Sequence, residues 1–370
     1  MRQFNAMPGS RVIYRKIDFM EAPRHIGVFK FKNIGDVILM TPVLQILQDN
    51  FPGAKISLAI NSDTASLLQG HPCLERVFAY ERSFKKRNFI RTLVYEVRFL
   101  LRLRRQKFDL TIDFDQGDRS AWYAFLCGAK QRWTYWKPRN WLINRLHFFT
   151  QVFEFPPTKM HQVEWHLRLL SEAGLNVPKN TPLAIVVTET DSAWARATKA
   201  GWGGGRLVVV HPIARWLLKR WNPRKMAEVI DWLQDEQDCT VVLSNGGSQR
   251  EIEKVEEILG FCRINPQLLT GGISLGQLAA LIQTADCFLG VDTGPMHIAA
   301  AVGTPVVSLF GPTSEVNWSP WCEKSVVLKG DCVCRDVETA PCRWDQVRYC
   351  MESISTESVK EALAKFLANA

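Results

Sequence analysis

The stretch from residue 26 to residue 60 restricts the fold more than any other. Ile26–Lys32 is a mostly apolar run and reads as a buried strand. A tight turn follows at Asn33, Ile34, Gly35 and Asp36, and Val37–Gln48 then has the apolar spacing of a helix. Pro52 and Gly53 stop it, and Lys55–Ile60 resumes a strand. Strand, glycine turn, helix and strand make a βαβ unit, and such units build parallel sheets. Arg76–Ala79 and Leu110–Phe114 continue the strands, with a long basic helix over about Asn88–Gln106 between them. The alternation restarts after Pro178. Strands are expected at Arg206–His211, Cys239–Ser244, Cys287–Val291 and Pro305–Phe310. Helices are expected at Pro223–Leu233, Gln249–Leu259, Leu275–Thr284 and Pro295–Ala301. The expected class is α/β, with two doubly wound Rossmann-like domains facing across a cleft.

The 370 residues exceed what one hydrophobic core usually holds. Gly174, Pro178 and Pro182 mark the expected linker, which divides the chain into residues 1–175 and 176–370. The C-terminal helix could pack back on the first domain. No apolar run approaches the roughly 18 residues of a spanning helix. Met1–Pro23 carries arginines with no continuous apolar stretch after them, so it does not read as a signal peptide. The chain reads as cytoplasmic, and its 10 cysteines are therefore not expected to form structural disulfides.

The net charge of +9 is unevenly placed. Residues 1–180 carry a balance of +13 and residues 181–370 one of −4. An anionic partner is expected on the first half: nucleic acid, anionic lipid or a phosphorylated glycan. Its basic helix includes Arg91, Arg98, Arg102, Arg104 and Arg105, preceded by Lys85, Lys86 and Arg87. Arg119, Arg132, Lys137, Arg139 and Arg145 follow, interleaved with Trp122, Trp133, Trp136 and Trp141. Cations can meet acceptor phosphates, and aromatic faces can stack on sugars or fill the core. Lys85, Lys86, Arg87, Arg119 and Trp122 are candidate acceptor contacts. The pattern also suits single-stranded nucleic acid, but no nucleic-acid module is recognisable.

Three turns carry candidate chemistry. Gly35 lets the chain turn sharply and Asp36 lands at a helix start, where it is either a cap or a carboxylate able to take a proton from a hydroxyl. Asp292, Thr293, Gly294 and His297 leave a strand and open a helix, whose N–H groups suit a pyrophosphate. His211–Pro223 also leaves a strand and offers Arg215, Lys219 and Arg220 among two tryptophans. Fixed cations there lower the barrier to departure of a diphosphate.

In this order, with Val306–Gly311, Pro312 and Thr313 after them, these segments resemble glycosyltransferase family 9, the lipopolysaccharide heptosyltransferases. The resemblance spans about residues 26–365, and His211–Lys219 is most similar to the branch that adds the third inner-core heptose. It implies a GT-B architecture and an inverting reaction with no metal or other cofactor. The donor would be ADP-L-glycero-β-D-manno-heptose, and the acceptor a lipid-linked anionic glycan at the inner-membrane surface. Asp36 matches the catalytic base and Lys219 the lysine on donor phosphate and sugar. Asp292, Thr293, Gly294 and His297 match the donor turn, and Glu251 a nucleotide-contacting acid.

Asp113 and Asp115 have the spacing of a metal–diphosphate clamp but lie in the first half, so an acceptor-facing or structural role is expected. Cys332, Cys334, Cys342 and Cys350 are candidate metal ligands without the spacing of a standard zinc ribbon. Other readings keep the fold: transfer of a different nucleotide-activated sugar, a nucleotide-sugar epimerase, or a non-catalytic glycan-binding protein. The epimerase leaves the basic first half unexplained, and the last leaves Asp36 and Lys219 unexplained.

Overall fold

The computed structural model describes residues 22–82, 89–136, 145–155, 159–331 and 349–368. Among them two six-stranded sheets are built. The first contains β1 (His25–Lys30), β2 (Lys55–Asn61), β3 (Arg76–Tyr80), β4 (Leu110–Asp113), β5 (Gln131–Trp136) and β6 (Gln151–Glu154). The second contains β7 (Arg206–His211), β8 (Cys239–Asn245), β9 (Gln267–Thr270), β10 (Cys287–Val291), β11 (Val306–Phe310) and β12 (Ser325–Lys329). The orders are β3-β2-β1-β4-β5-β6 and β12-β11-β10-β7-β8-β9, with parallel neighbours throughout. Both are therefore the doubly wound order. Each has a crevice at its carboxyl edge where the winding reverses: between β1 and β4, and between β7 and β10.

Helices α1 (Ile34–Ile38), α2 (Pro42–Asn50), α3 (Phe89–Arg104), α4 (Asp118–Leu126) and α5 (Gln162–Glu172) belong to the first sheet. After it come α6 (Glu189–Gly201), α7 (Pro223–Asp235), α8 (Gln249–Leu259), α9 (Leu275–Gln283), α10 (Gly294–Ala301), α11 (Glu315–Trp318), α12 (Tyr349–Glu352) and α13 (Thr356–Leu367). The central strands are covered on both faces, which is why they read as unbroken apolar runs: Leu207–Val210 are all fully buried.

The differences from the sequence reading have local causes. The helix expected over Val37–Gln48 is two helices, because Pro42 has no N–H to continue the ladder and instead begins α2. The Thr41 hydroxyl donates to the Ile38 carbonyl at 2.6 Å and accepts from the Ala184 N–H at 3.0 Å. β9 and β12 were not expected. Both are short edge strands with no fully buried residue, and their apolar stretches, Leu268–Leu269 and Val326–Leu328, are too brief to stand out. β5 was hidden by its mixture of aromatic and basic residues. Its Trp133 and Tyr135 are core residues, not exposed sugar platforms. The C-terminal helix α13 packs against α7, β10, β11 and β12, through Val359, Leu363 and Leu367. It thus completes the second sheet's core.

The two halves share apolar packing. One continuous cluster of buried side chains runs from Ile26 and Val28 to Met296 and Phe310. Its centre is the contact between α1 and α10, the helices that follow β1 and β10. A Cβ on Gly35 would stand 2.6 Å from His297 Cδ2, and one on Gly294 would stand 3.0 Å from Ile34 Cβ. Glycine is needed at both places for close approach. Other hydrogen bonds join segments distant in sequence. Asn50 and Asn176 exchange two hydrogen bonds of 2.9 Å, and the Asn317 side chain donates to the Met160 carbonyl at 2.8 Å. Gly35→Ala is expected to cost about 1–3 kcal/mol, the usual range for overpacking a core. A denaturant melt with tryptophan fluorescence measures it, and wild-type stability would contradict the close approach.

Candidate active site

Segments at the carboxyl edges of both sheets meet in one cavity of about 580 Å³. From the first sheet come Asn33, Gly35 and Asp36 after β1, joined by Asp63 after β2. The second sheet supplies Arg215, Trp216 and Lys219 after β7, Asp292, Thr293, Gly294 and His297 after β10, and Thr313 and Trp318 after β11. Residues 36 and 292 are 256 apart in sequence. They meet because each follows a strand at the crevice of its own sheet and the two carboxyl edges face each other.

Asp36 does not cap its helix. Asn33 holds the N-cap position of α1, and Asp36 is the third helical residue, half-buried and lining the cavity. Lys219 sits in a short 3₁₀ turn, Leu217–Lys219. Its Nζ donates to Asp292 Oδ2 at 2.6 Å and to the Asp292 backbone carbonyl at 3.1 Å. An ammonium has three N–H donors, so this grip leaves one for a ligand. Asp292 is 6% exposed, and the ion pair holds it at the cavity wall.

The N-terminus of α10 lines the same cavity. Its cap residue Thr293 places no side-chain hydrogen bond on the first turn, and Pro295 removes one N–H. The remaining first-turn donors and the helix dipole favour an anion there. His297, one turn in, is buried, and its Nδ1 has no hydrogen-bond partner among the described residues. Burial pushes its pKa down to about 4, so the ring is neutral.

One charged residue beneath the site was not singled out from the sequence. Lys30 on β1 is 3% exposed. Its Nζ donates to the Phe114 carbonyl at 2.9 Å and lies 3.2 Å from His166 Nε2. Burial lowers its pKa, and the Asp36 carboxylate is the strongest charge opposing that shift. The available signal was a lysine inside an otherwise apolar strand. Asp113 anchors the neighbouring turn by accepting from the N–H of Asp115 at 2.8 Å, the N–H of Gln116 at 3.3 Å and the Ser120 hydroxyl at 3.0 Å. Burial and the adjacent Asp115 charge push its pKa up. This is a structural use of the Asp-x-Asp spacing.

Other expected site residues lie apart from the cavity. Arg220 is turned into the second half, where it forms a two-pronged ion pair with Glu257 at 2.6 and 3.1 Å. Glu251 completes the N-terminal capping box of α8 with Ser248, accepting from its hydroxyl at 2.8 Å. Arg119 stacks over the Tyr80 ring at 4.0 Å, and Trp122 packs on Phe148. Both line a different groove, between α3 and α4. Cys350 is buried in the second core. Lys85, Lys86, Arg87, Cys332, Cys334 and Cys342 lie outside the described residues. Among the described residues no group of three His, Cys, Asp or Glu is placed to hold a metal ion.

The family model described as glycosyltransferase family 9 (heptosyltransferase) matches residues 97–347. The chain belongs to glycosyltransferase family 9. It is 32% identical over 305 residues to lipopolysaccharide heptosyltransferase 3 of Escherichia coli K12, covering 79% of this chain and 84% of that one. The fold matches a family 9 glycosyltransferase from Veillonella parvula with a TM-score of 0.80 at 20% identity, over 96% of this chain and 99% of the other. E. coli heptosyltransferase WaaC with ADP matches at 0.72 and 19% identity, over 92% and 99%. The same enzyme with ADP-2-deoxy-2-fluoro heptose matches at 0.68 and 20% identity, over 94% and 100%. This chain is therefore a glycosyltransferase, and the two-sheet architecture is that of its family.

The buried imidazoles of this glycosyltransferase set an acid limit. Burial holds both His211 and His297 at about 4, below the ordinary 6.5. The unfolded chain therefore takes up these protons first as the pH falls. Their effect on stability is nil above about 6.5, becomes destabilising as the pH falls through that value, and is complete below about 4. The melting temperature of His297→Gln is expected to fall less steeply than wild type between pH 6.5 and 4. Parallel curves by scanning calorimetry would refute the buried neutral ring.

Proposed function

We propose that this enzyme transfers a heptose from ADP-L-glycero-β-D-manno-heptose to the inner core of lipopolysaccharide, with inversion at the anomeric carbon and no metal ion. The observation that carries the reading is the single cavity holding a carboxylate from one half, Asp36, opposite a cation and a helix N-terminus from the other, Lys219 and α10. Such an arrangement fits an in-line displacement. Asp36 takes the proton from the acceptor hydroxyl as its oxygen attacks the anomeric carbon. The bond to the diphosphate breaks on the opposite face. Lys219 and the first turn of α10 receive the developing charge, the role a metal ion would otherwise fill. Asp292 fixes the lysine, and its carboxylate can accept from sugar hydroxyls. His297, neutral and unpartnered at Nδ1, supplies one more polar contact.

The donor assignment is supported by the relatives whose names specify heptose and ADP. On this reading residues 1–175 hold the lipid-linked anionic acceptor and residues 176–370 the donor. The enzyme works at the cytoplasmic face of the inner membrane, without spanning it. No helix among the described residues is long and apolar enough to cross a membrane.

Asp36→Ala is expected to retain ADP binding while turnover drops about 10²–10⁴-fold, the usual contribution of a general base. Lys219→Ala is expected to weaken ADP binding and also to lower turnover, by about 10²–10³-fold. Calorimetry with ADP, UDP, GDP and CMP in EDTA, followed by assays with ADP-heptose and a truncated core acceptor, measures both. Wild-type turnover in Asp36→Ala would remove the base assignment, and preference for another nucleotide would move the donor to a different sugar.

A further inference from the structure

Six large apolar side chains stand exposed on one helix. In α3, Phe89 is 79% exposed, Ile90 67%, Leu93 52%, Val94 43%, Val97 47% and Leu101 46%. Positions 90, 93, 94, 97 and 101 recur at the spacing of one helix face. The opposite face is buried through Phe99 and Leu103 in the aromatic core beneath. So α3 packs inward by one apolar face and presents a second to solvent, a pattern that marks an interaction surface.

The flanks of this stripe differ. Helical geometry puts Arg91, Arg98 and Arg102 along one side. On the other a groove of about 390 Å³ opens between α3 and α4, where Val97, Leu100, Trp122 and Leu126 stand with Glu96, Asp118 and Arg119. Trp122 and Phe125 on α4 are 43% and 41% exposed and widen the apolar surface.

We propose that this face of α3 and α4 docks into the interfacial layer of an anionic lipid bilayer, with α3 lying along the membrane plane. An aliphatic stripe beside arginines matches hydrocarbon below and phosphate headgroups at its edge. A second copy paired antiparallel on α3 would bring the arginine flanks together, which disfavours that occupant. A nucleic acid would meet the arginines but leave the aliphatic stripe uncovered. With 16 residues, α3 is too short to span a bilayer and suits its surface.

The topology gives the docking a consequence for catalysis. Helix α3 follows β3, and the carboxyl edge of the parallel first sheet faces the cavity of Asp36. The first residues of α3 therefore start on the cavity side, where Phe89 is the most exposed. With α3 along the membrane plane the strands it packs on also run along that plane, so the mouth of the cleft opens parallel to the bilayer surface, beside the headgroups. This orientation rests on the reading of a lipid-linked acceptor; the docking itself does not.

The test sediments the full chain with vesicles of phosphatidylethanolamine and phosphatidylglycerol, and separately with phosphatidylcholine alone. The variant Leu93→Ser/Val97→Ser/Leu101→Ser should lose at least about tenfold in partitioning to the anionic vesicles, since membrane affinity scales with buried apolar area. Its turnover of a water-soluble, delipidated acceptor should match wild type. Val94→Trp should partition several-fold more strongly, which covers the case of a triple variant that folds poorly. Triple-variant partitioning equal to wild type, or equal wild-type binding to both vesicles, overturns the proposal. So does a wild-type dimer, seen by analytical ultracentrifugation, that the triple variant abolishes. Failure of all proteins on the soluble acceptor would count against the proposed reaction and leave the vesicle result standing.

Discussion

The close crossing of α1 and α10 is the contact on which the active site depends. Each helix follows a central strand of its own sheet, and each begins beside a residue whose side chain faces the cavity. At the crossing Gly35 lies under the His297 ring and Gly294 under Ile34. Those two absent side chains let the halves approach closely enough for Asp36 and the Lys219–Asp292 pair to line one cavity. The same contact packs His297 out of water, which keeps its ring neutral. One packing constraint thus sets the distance across the site and the protonation of one of its walls.

The charges of the cavity are arranged in complementary fashion. Asp292 satisfies Lys219 without consuming all of its donors, so the cation is anchored and still available. Lys30 lies buried below Asp36, held by a backbone carbonyl and His166. A fixed cation near each acidic position avoids burying uncompensated carboxylates. The fold therefore supplies charge stabilisation from rigid elements, which needs little reorganisation when a leaving group departs.

Much of the architecture was legible. The βαβ alternation, the parallel sheets and the three polar turns at strand ends all follow from short-range patterning, and Arg206–His211, Gln249–Leu259 and Cys287–Val291 match their expected bounds. The losses have separate physical causes. β9 and β12 are edge strands of four and five residues, too short and too little buried for periodicity to mark them. Trp133 was ambiguous because an aromatic ring suits a core and a sugar equally well. Arg220 stood with Lys219 as a donor cation, but the adjacent residues of a loop point to different sides, and Glu257 captured it.

The sequence by itself determined which residue types stand at the ends of which strands, since turn chemistry and apolar period are local properties. From these came the α/β class, the glycine turns, and Asp36, Lys219, Asp292 and His297 as a set. Only the tertiary structure decided which members of a cationic cluster face the cavity, that Lys30 lies beneath it, and that α3 exposes a second apolar face. The physical reason is that burial and pairing depend on contacts between segments far apart in the chain. Arg220 and Glu257, or Gly35 and His297, meet only after both sheets have formed and closed on one another.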